Sequence, residues 1–321
     1  MSRIQQYFSD FILYCKIQKN LSEKTLKAYQ IDTNQFLVFL LNYEDIKEVT
    51  DINRDHLRIY LQVLSDKYKI KSVKRKVACL KAFFNYLEYE DKILFNPFRK
   101  VKIKLQMPFK LPTVLTLHEV QILFSVIYYK ISQFEDTKSY SYKASIRDIT
   151  VLEFLFATGL RVSELCNLKR SEIDLANGYI KVSGKGSRER IIFIENDEVK
   201  RIINRYKSLF ETEIMNSEYF FINRVGARLS EQSVRFMIKK YANAVGIEKH
   251  VTPHVFRHSF ATLLLEEGVD IKYIQNFLGH SSIVTTQIYT HVNKEKEREI
   301  LGQKHPRKNL VMADLNEVNE G

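Results

Sequence analysis

Residues 252–258 read TPHVFRH. Threonine is a favoured N-cap and proline is favoured at the first helical position, so a helix is predicted to begin at Pro253. His254 and Arg257 then lie one turn apart near the positive end of that helix, where an anion is stabilised. The stretch therefore predicts a site for a phosphate group.

Two other interpretations fit parts of the same region. His254 and His258 have the i,i+4 spacing of a helical zinc site, but Val255 stands where zinc proteases carry glutamate, and Arg257 would add a positive charge among the ligands. A helix-turn-helix DNA-binding regulator is also compatible, because residues 268–271 join two predicted helices of suitable length and polarity. That interpretation gives no role to Tyr289 downstream.

The following residues supply further groups for phosphoryl transfer. Residues 278–281 read LGHS and residues 285–291 read TTQIYTH, which adds His280 and Tyr289. Displacing a DNA oxygen from phosphorus without a metal needs a nucleophile, fixed cations on the nonbridging oxygens and an acid for the leaving group. Tyrosine, arginine and either lysine or histidine can fill these three roles.

Two upstream segments complete the candidate set. A helix predicted to start after Gly159 places Arg161 and Glu164 on one face, although such a pair is commonly an ordinary surface ion pair. A predicted hairpin, residues 178–183 and 190–194, presents Lys185 between two glycines at its tip. The candidate catalytic residues are Arg161, Lys185, His254, Arg257, His280 and Tyr289, with Glu164 in support.

Composition indicates a globular protein that binds a polyanion. A chain of 321 residues is long enough for two domains, and its 5 prolines and 10 glycines argue against long disordered tracts. Fifty Lys and Arg against 38 Asp and Glu give a formal charge of +12. This excess favours nucleic acid first and an acidic membrane surface second.

The cysteines and the hydropathy pattern predict a soluble, cytoplasmic protein. Cys15, Cys79 and Cys166 lie far apart and outside any CxxC pair, which supports neither a disulfide framework nor a zinc ribbon. No apolar run approaches the roughly 20 residues of a membrane span. Residues 1–10 lack the apolar core of a signal peptide.

The chain is predicted to divide near Pro97. Helical patterns cover residues 4–16, a segment capped by Ser22 and running to Leu40, a segment from residues 51–53 to about Leu64, and a segment opening at Ser72. Proline disfavours helix at the residue before it, so Asn96 ends this bundle. The predicted organisation is a helical domain over residues 1–96, a basic linker over 97–112, a catalytic domain over 113–305 and a tail over 306–321.

The catalytic domain is predicted to be mainly helical with a small antiparallel sheet. Thr116 and Glu119 have the spacing of a capping box. A buried helix over residues 146–156 is followed by the hairpin and by helices over 197–209 and 230–245.

Basic residues are concentrated at the end of the first domain. Residues 67–104 contain twelve Lys or Arg and three Asp or Glu. A one-signed excess in one region is typical of a surface that follows a phosphate backbone, although a solvated helix face is the common alternative. The predicted DNA contacts are Lys71, Lys74, Arg75, Lys76, Arg99, Lys100, Lys102, Arg188, Arg235 and Lys239.

These motifs together resemble the tyrosine recombinase, or phage integrase, family over nearly the whole chain. The resemblance is carried by residues 157–165, ATGLRVSEL, by Lys185, by His254 and Arg257, by LGHS and by the YTH of residues 289–291. The ending KHPR of residues 304–307 and the short N-terminus most resemble the Xer-type branch, which resolves chromosome dimers.

The resemblance implies a role for each candidate. Arg161 and Arg257 would bind the scissile phosphate, and Tyr289 would attack it to form a 3′-phosphotyrosyl link. Lys185 would protonate the leaving 5′-oxygen, His254 would assist as acid and base, His280 would bond to the phosphate and Glu164 would support Arg161. No metal, ATP or other cofactor is implied.

The resemblance also implies a fold and an assembly. The fold is an N-terminal helical core-binding (SAM-like) domain and a catalytic domain that form a C-shaped clamp on double-stranded DNA. Four protomers, identical or paired with a related recombinase, would act through a Holliday junction, with a DNA translocase as a further partner and no membrane partner. The helix over residues 293–303 would dock on a neighbouring protomer, or alternatively pack in cis.

The biological role implied by the Xer-type branch is chromosome partition at cell division. An integrase, transposase or invertase of a mobile element would use the same catalytic residues, and only the DNA site distinguishes these functions. A non-cleaving regulator is the alternative from another class.

Overall fold

A computed structural model of the protein describes residues 3–101, 113–183, 189–279 and 294–310, with only the backbone for 294–297. The chain forms two compact units, residues 1–110 and 111–321. Both are helical, and the second carries a three-stranded antiparallel sheet. None of the helices in the described ranges combines the length and apolar character that a bilayer crossing needs.

The first unit is the predicted bundle of four helices. They are α1 (Arg3–Ile17), α2 (Glu23–Leu40), α3 (Arg54–Lys67) and α4 (Ile70–Tyr89). Ser22 caps α2 as predicted, accepting a hydrogen bond from the Thr25 amide. Aromatic rings fill the centre, where Phe8 and Phe83 have centroids 4.4 Å apart. Helix α4 begins before the predicted Ser72, because the carbonyl of Lys69 already accepts the Ser72 amide.

The first domain extends beyond its predicted boundary. Pro97–Lys100 forms a 3₁₀ helix whose Phe98 amide donates to the Asn96 side chain at 2.9 Å. Phe98 and Val101 are buried in the core of the first unit. The predicted linker over residues 97–112 therefore begins inside the domain, because its first apolar side chains complete that core, and residues 102–112 lie outside the described part.

The second unit is built around one long buried helix, α6. Its helices are α5 (Leu117–Ser132), α6 (Tyr140–Thr158), α7 (Val162–Asn167), α8 (Asp197–Leu209), α9 (Glu211–Met215), α10 (Glu231–Ala244), α11 (Pro253–Glu266), α12 (Ile271–Leu278) and α13 (Lys294–Lys304). Helices α5, α8 and α11 pack against α6. Gly159 ends α6 in the left-handed region at φ +60° and turns the chain toward α7.

The sheet has the order β1 (Ile173–Asp174), β2 (Tyr179–Ser183) and β3 (Glu189–Phe193). The predicted hairpin is confirmed, with Ile180 opposite Ile192 and Val182 opposite Arg190. Alternate residues of β2, Ile180 and Val182, are buried, so one face of the sheet lies on the core. The hairpin tip, residues 184–188, lies outside the described residues.

The C-terminal segment packs on its own chain. Ile300 and Leu301 of α13 are buried in a cluster with Phe260 and Phe277, so the helix contacts the catalytic domain in cis. A 3₁₀ helix, Pro306–Asn309, follows and buries Arg307. The tail predicted over residues 306–321 therefore begins too early, because residues 306–310 belong to the packed domain.

Candidate phosphate-binding site

Helix α11 begins as the sequence predicts. The Thr252 hydroxyl accepts a hydrogen bond from the Val255 amide at 3.3 Å, and Pro253 occupies the first turn. This start leaves His254 exposed and turns Arg257, only 5% exposed, into the protein. His254 and Arg257 thus belong to one helical turn, but His254 lies at the surface and Arg257 is buried.

Arg257 is held by two main-chain carbonyls from separate turns. Its Nη1 donates to the Gly159 carbonyl at 2.8 Å and its Nη2 to the Leu278 carbonyl at 2.5 Å. Burial, and then the positive charge of Arg161, lower the pKa of Arg257 to about 10. The group therefore remains a fixed cation near neutral pH.

Arg161 reaches the next carbonyl of the same turn. Its Nη2 donates to the Gly279 carbonyl at 3.3 Å, directly after the carbonyl that Arg257 binds. Consecutive Cα atoms are about 3.8 Å apart, so the two guanidinium groups converge at one place. This is the pairing of cations that phosphate binding requires.

Glu164 holds Arg161 in that position. Its Oε1 accepts from Arg161 Nη1 at 2.8 Å, and its Oε2 accepts the Arg161 amide at 2.9 Å. The predicted pair therefore exists, but it is not an ordinary surface pair, because the Glu164 side chain is only 8% exposed.

Arg190 is a member of this cluster that the sequence interpretation missed. Its Nη1 and Nη2 donate to Oε1 and Oε2 of Glu164 at 3.1 and 2.8 Å, and its Nε donates to the Phe277 carbonyl at 3.1 Å. A signal was present, since Arg190 lies two residues before the buried Ile192 and so shares the inward face of the strand.

Burial alone would raise the pKa of Glu164, but hydrogen bonds and charge from Arg190, and then bonds from Arg161, hold it below its ordinary value. Glu164 is thus ionised near neutral pH. Arg161 and Arg190 both bond to this carboxylate, and Arg257 adds a third positive charge nearby, so the described part of the site carries excess positive charge. An anion is the ligand that fits it.

His254 lies beside this cluster at the surface. Partial burial, the neighbouring His258 and Arg257 lower its pKa, in that order of effect. The imidazole is therefore neutral near pH 7 and can exchange a proton. Within the described ranges, no three His, Cys, Asp or Glu side chains are grouped so as to hold a metal ion.

Three predicted catalytic residues, Lys185, His280 and Tyr289, lie outside the described residues. The described strands β2 and β3 flank the loop that carries Lys185. His280 directly follows Gly279, whose carbonyl Arg161 binds. The described site therefore ends where the segment with the predicted nucleophile begins.

The basic residues of α4 divide into exposed and paired groups. Lys71 and Lys74 are exposed. Arg75 is half-exposed and bonds to Asp32 and to the Ala28 carbonyl. Lys76 is buried, with its ammonium bonded to Asp32 at 2.9 Å and to Gln35. Lys76 is therefore not a DNA contact as predicted, because its ammonium group is buried in the core and paired there with Asp32 of α2.

The other predicted contacts vary in the same way. Arg99 is exposed and pairs with Glu88 at 2.7 Å, and Arg235 pairs with Glu231 at 2.5 Å. Lys100 and Lys239 are exposed. Lys102 and Arg188 lie outside the described residues.

Comparison with known proteins agrees with this organisation. The model of the phage integrase family matches residues 128–296, and that of the phage integrase N-terminal SAM-like domain matches residues 8–91. The predicted pairing of a SAM-like helical domain with a catalytic domain is therefore confirmed.

Individual proteins are similar over nearly their whole length. A tyrosine recombinase of Agathobacter rectalis is 47% identical over 97% of this chain and 99% of its own, and tyrosine recombinase XerD of Listeria innocua is 35% identical over 93% and 98%. The fold resembles that of the XerH site-specific recombinase bound to difH, with a TM-score of 0.66 at 24% identity over 91% of this chain and 82% of that one. This similarity over both domains shows that the chain belongs to the phage integrase family.

Proposed function

We propose that this protein is a site-specific tyrosine recombinase, which cuts and rejoins DNA through a covalent 3′-phosphotyrosyl intermediate. The observation that carries the proposal is the convergence of Arg161 and Arg257 on the consecutive carbonyls of Leu278 and Gly279. A single phosphate placed there meets two fixed cations, and the chain continues from that point toward Tyr289. The relatives named tyrosine recombinase support the same reaction.

In the proposed cleavage step, Arg161 and Arg257 bind the nonbridging oxygens and stabilise the charge that develops on them. The phenolic oxygen of Tyr289 attacks phosphorus, and its proton passes to the neutral imidazole of His254. The bond to the 5′-oxygen breaks, and Lys185 donates the proton that makes it a free hydroxyl. His280 donates a hydrogen bond to the phosphate.

Ligation reverses these steps with the 5′-hydroxyl of a partner strand. That oxygen attacks the phosphotyrosyl link and releases Tyr289, so the phosphodiester energy is kept in the covalent intermediate and no ATP is consumed. Both domains bind DNA through exposed basic side chains, including Lys71, Lys74 and Lys100 of the first domain and Lys239 of the second.

The test uses DNA retained by Tyr289→Phe from a random genomic library. The enriched sequence is synthesised as a suicide duplex with a nick beside the cleavage position, so the short 5′-hydroxyl fragment diffuses away. We expect the wild-type protein to form an adduct that survives a denaturing gel, and Tyr289→Phe to bind equally but form none. Binding without an adduct would instead identify a DNA-binding regulator.

A second experiment isolates the proton donor. A 5′-bridging phosphorothiolate releases a thiolate, which leaves without protonation. We expect this substrate to restore adduct formation by Lys185→Ala but not by Arg257→Ala. Failure of the rescue would assign proton delivery to another group.

We further propose an Xer-type role, in which four protomers, identical or paired with a related recombinase, resolve chromosome dimers in the cytoplasm through a Holliday junction. The similarity to XerD, and to the fold of XerH bound to difH, supports this role. A single chromosomal site among the retained DNA would support it. Retention of the ends of a mobile element would instead indicate an integrase or transposase, and an inverted repeat around a promoter would indicate an invertase.

A further inference from the structure

Arg190 connects three parts of the catalytic domain that are far apart in sequence. It lies on β3 opposite Val182, and its side chain is 15% exposed. Through the bonds described above, its guanidinium joins Glu164 on α7 to the Phe277 carbonyl on α12. Arg190 therefore fixes the distance between α7 and the end of α12.

Both groups that Arg190 holds are in turn in contact with the cations of the site. Glu164 binds Arg161, while the turn that follows Phe277 presents the carbonyls to which Arg257 and Arg161 donate. A displacement of Glu164 or of this turn would therefore separate the two phosphate-binding guanidinium groups.

We propose that Arg190 is a positioning residue of the strand-cleavage reaction: by clamping Glu164 and the end of α12 together, it sets the spacing of Arg161 and Arg257 around the scissile phosphate. This inference rests on the proposed recombinase function. Arg190 itself does not contact the phosphate in this proposal and acts through Arg161 and Arg257.

The charges around Glu164 determine what happens without Arg190. Glu164 forms ion pairs with Arg161, at the start of its own helix, and with Arg190 of β3. The positive charge of Arg257 on α11 also acts on it. On α10, which also packs against α7, Glu231 and Arg235 pair with each other. Replacing Arg190 by a neutral residue removes two hydrogen bonds and one positive charge from Glu164, so its pKa rises.

The direction of the resulting pH effect follows from that change. In the wild type the lowered pKa keeps Glu164 ionised down to acidic pH. In Arg190→Gln, Glu164 takes up a proton as the pH falls, and it then loses its ion pair with Arg161. The activity of the variant relative to the wild type should therefore decrease as the pH decreases.

The experiment measures the rate of adduct formation on the suicide duplex between about pH 5.5 and about pH 8. Over this range the protonation state of Glu164 is expected to differ between the wild type and Arg190→Gln. We expect Arg190→Gln to be slower by on the order of tenfold to a hundredfold near neutral pH, since small misplacements of binding groups have effects of this size. The ratio of variant to wild-type rate should fall further toward pH 5.5. Arg190→Lys, which keeps the charge but not the forked geometry, should be intermediate.

Two comparisons separate positioning from a general loss of stability. Arg147→Gln removes an ion pair to Asp148 with similarly buried side chains, 13% and 12% exposed, on α6. Its rate ratio to the wild type should stay near one at every pH at temperatures below unfolding. In a Glu164→Gln background, Arg190→Gln should add less than about threefold, because interacting residues are not additive.

The outcomes distinguish this inference from the function on which it rests. If the wild type forms no adduct, the recombinase function fails and the inference fails with it. If the wild type forms the adduct but Arg190→Gln shows an unchanged rate, a pH-independent ratio or full additivity with Glu164→Gln, only the role of Arg190 is overturned. If Arg190→Gln unfolds, the folded Arg190→Lys variant must still form the adduct more slowly than the wild type, because it lacks the forked geometry, and a wild-type rate would overturn the role.

Discussion

Gly279 has an unusual backbone conformation and also lies against two arginines of the site. It ends α12 at φ +62°, in the left-handed region, and its carbonyl accepts from Arg161. A Cβ at this position would lie 2.9 Å from Nη1 and 3.1 Å from Cζ of Arg190. Both the turn and the close approach of the guanidinium therefore require glycine.

We expect Gly279→Ala to slow adduct formation at least tenfold, because the methyl group displaces Arg190 and the turn that Arg161 binds. The left-handed conformation should also lower the free energy of unfolding by about 1–2 kcal/mol. Adduct rate and chemical unfolding, measured on the same preparation, separate the two effects.

Gly246→Ala is the matched control for this substitution. Gly246 has φ +69° and no atom within 4 Å of an added Cβ. The Gly246→Ala variant should show a similar decrease in the free energy of unfolding and an unchanged cleavage rate. An equal loss of activity in both variants would contradict a specific role for Gly279.

Single residues were predictable where a motif fixed their chemistry. Arg161 and Arg257 were identified from spacing and resemblance, and the structure places them together. Arg190 was missed because an arginine beside a hairpin resembles a solvent-exposed residue until the register shows it opposite Val182. Lys76 was assigned to the surface because local charge density does not reveal that Asp32, on another helix, binds it in the core.

At the scale of elements, the C-terminal 3₁₀ helix is tied to α6 by a buried ion pair. Arg307 Nε and Nη2 donate to Glu153 at 2.6 and 2.9 Å, and both side chains are almost fully buried. The Tyr128 hydroxyl also donates to Glu153, at 2.9 Å, and Glu198 pairs with Arg307 at 2.7 Å. We call Glu153, Arg307 and Tyr128 the C-terminal anchor.

We expect Arg307→Met to lower the free energy of unfolding by about 3–5 kcal/mol, because it leaves the buried Glu153 without its cation. Glu153→Met combined with Arg307→Met should recover part of this loss, since no unpaired charge then remains. Denaturant unfolding of the full chain measures both. Lys169→Ala, which breaks an exposed pair with Glu218, should cause no measurable change, and an equal loss there would contradict the prediction.

His305 makes the same element sensitive to pH. Its Nδ1 accepts the Arg307 amide at 3.0 Å, so Nε2 carries the proton and donates to the Ala157 carbonyl at 2.9 Å. Burial, and to a lesser extent Arg307, lower the pKa of His305 from 6.5 to about 4. The unfolded chain therefore binds a proton between these values that the folded chain does not.

The contribution of the neutral His305 to the free energy of unfolding should accordingly be complete above pH 6.5 and should be lost as the pH falls toward 4. The difference amounts to about 3 kcal/mol. We expect the unfolding free energy of His305→Gln to decline less steeply over this range than that of the wild type. Parallel pH profiles for the two proteins would contradict the assignment.

Long elements with clear caps were predictable, and so were the two five-residue strands of the hairpin, whereas two other short elements were not. The bounds of α8 agree with the pattern, and the start of α11 agrees with its Thr-Pro signal. The two-residue β1 and the five-residue α9 carry too few side chains to establish a period and were missed. The packing of residues 306–310 depends on Glu153, which is distant in sequence, so no local pattern could indicate it.

At the scale of the whole molecule, the net charge of +12 acts through the cations that remain unpaired at the surface. We expect Lys71→Gln and Lys74→Gln each to reduce the slope of log affinity against log salt concentration by about 0.9, because each substitution removes one cation that neutralises a phosphate. Lys47→Gln, an exposed lysine in the connection between α2 and α3, serves as the control. Fluorescence anisotropy with the selected duplex measures the slope, and equal changes for all three variants would indicate only a general charge effect.

The C-terminal anchor also limits how the protein can be shortened. A fragment that ends at residue 305 would lack Arg307 and would leave the Glu153 carboxylate of α6 buried without its cation. Expression of the isolated catalytic half therefore has to extend at least through Leu310, whose carbonyl accepts a bond from Arg307 and whose side chain is buried. A peptide of residues 280–310, added to a fragment ending at residue 279, would offer a way to reconstitute the domain from two pieces.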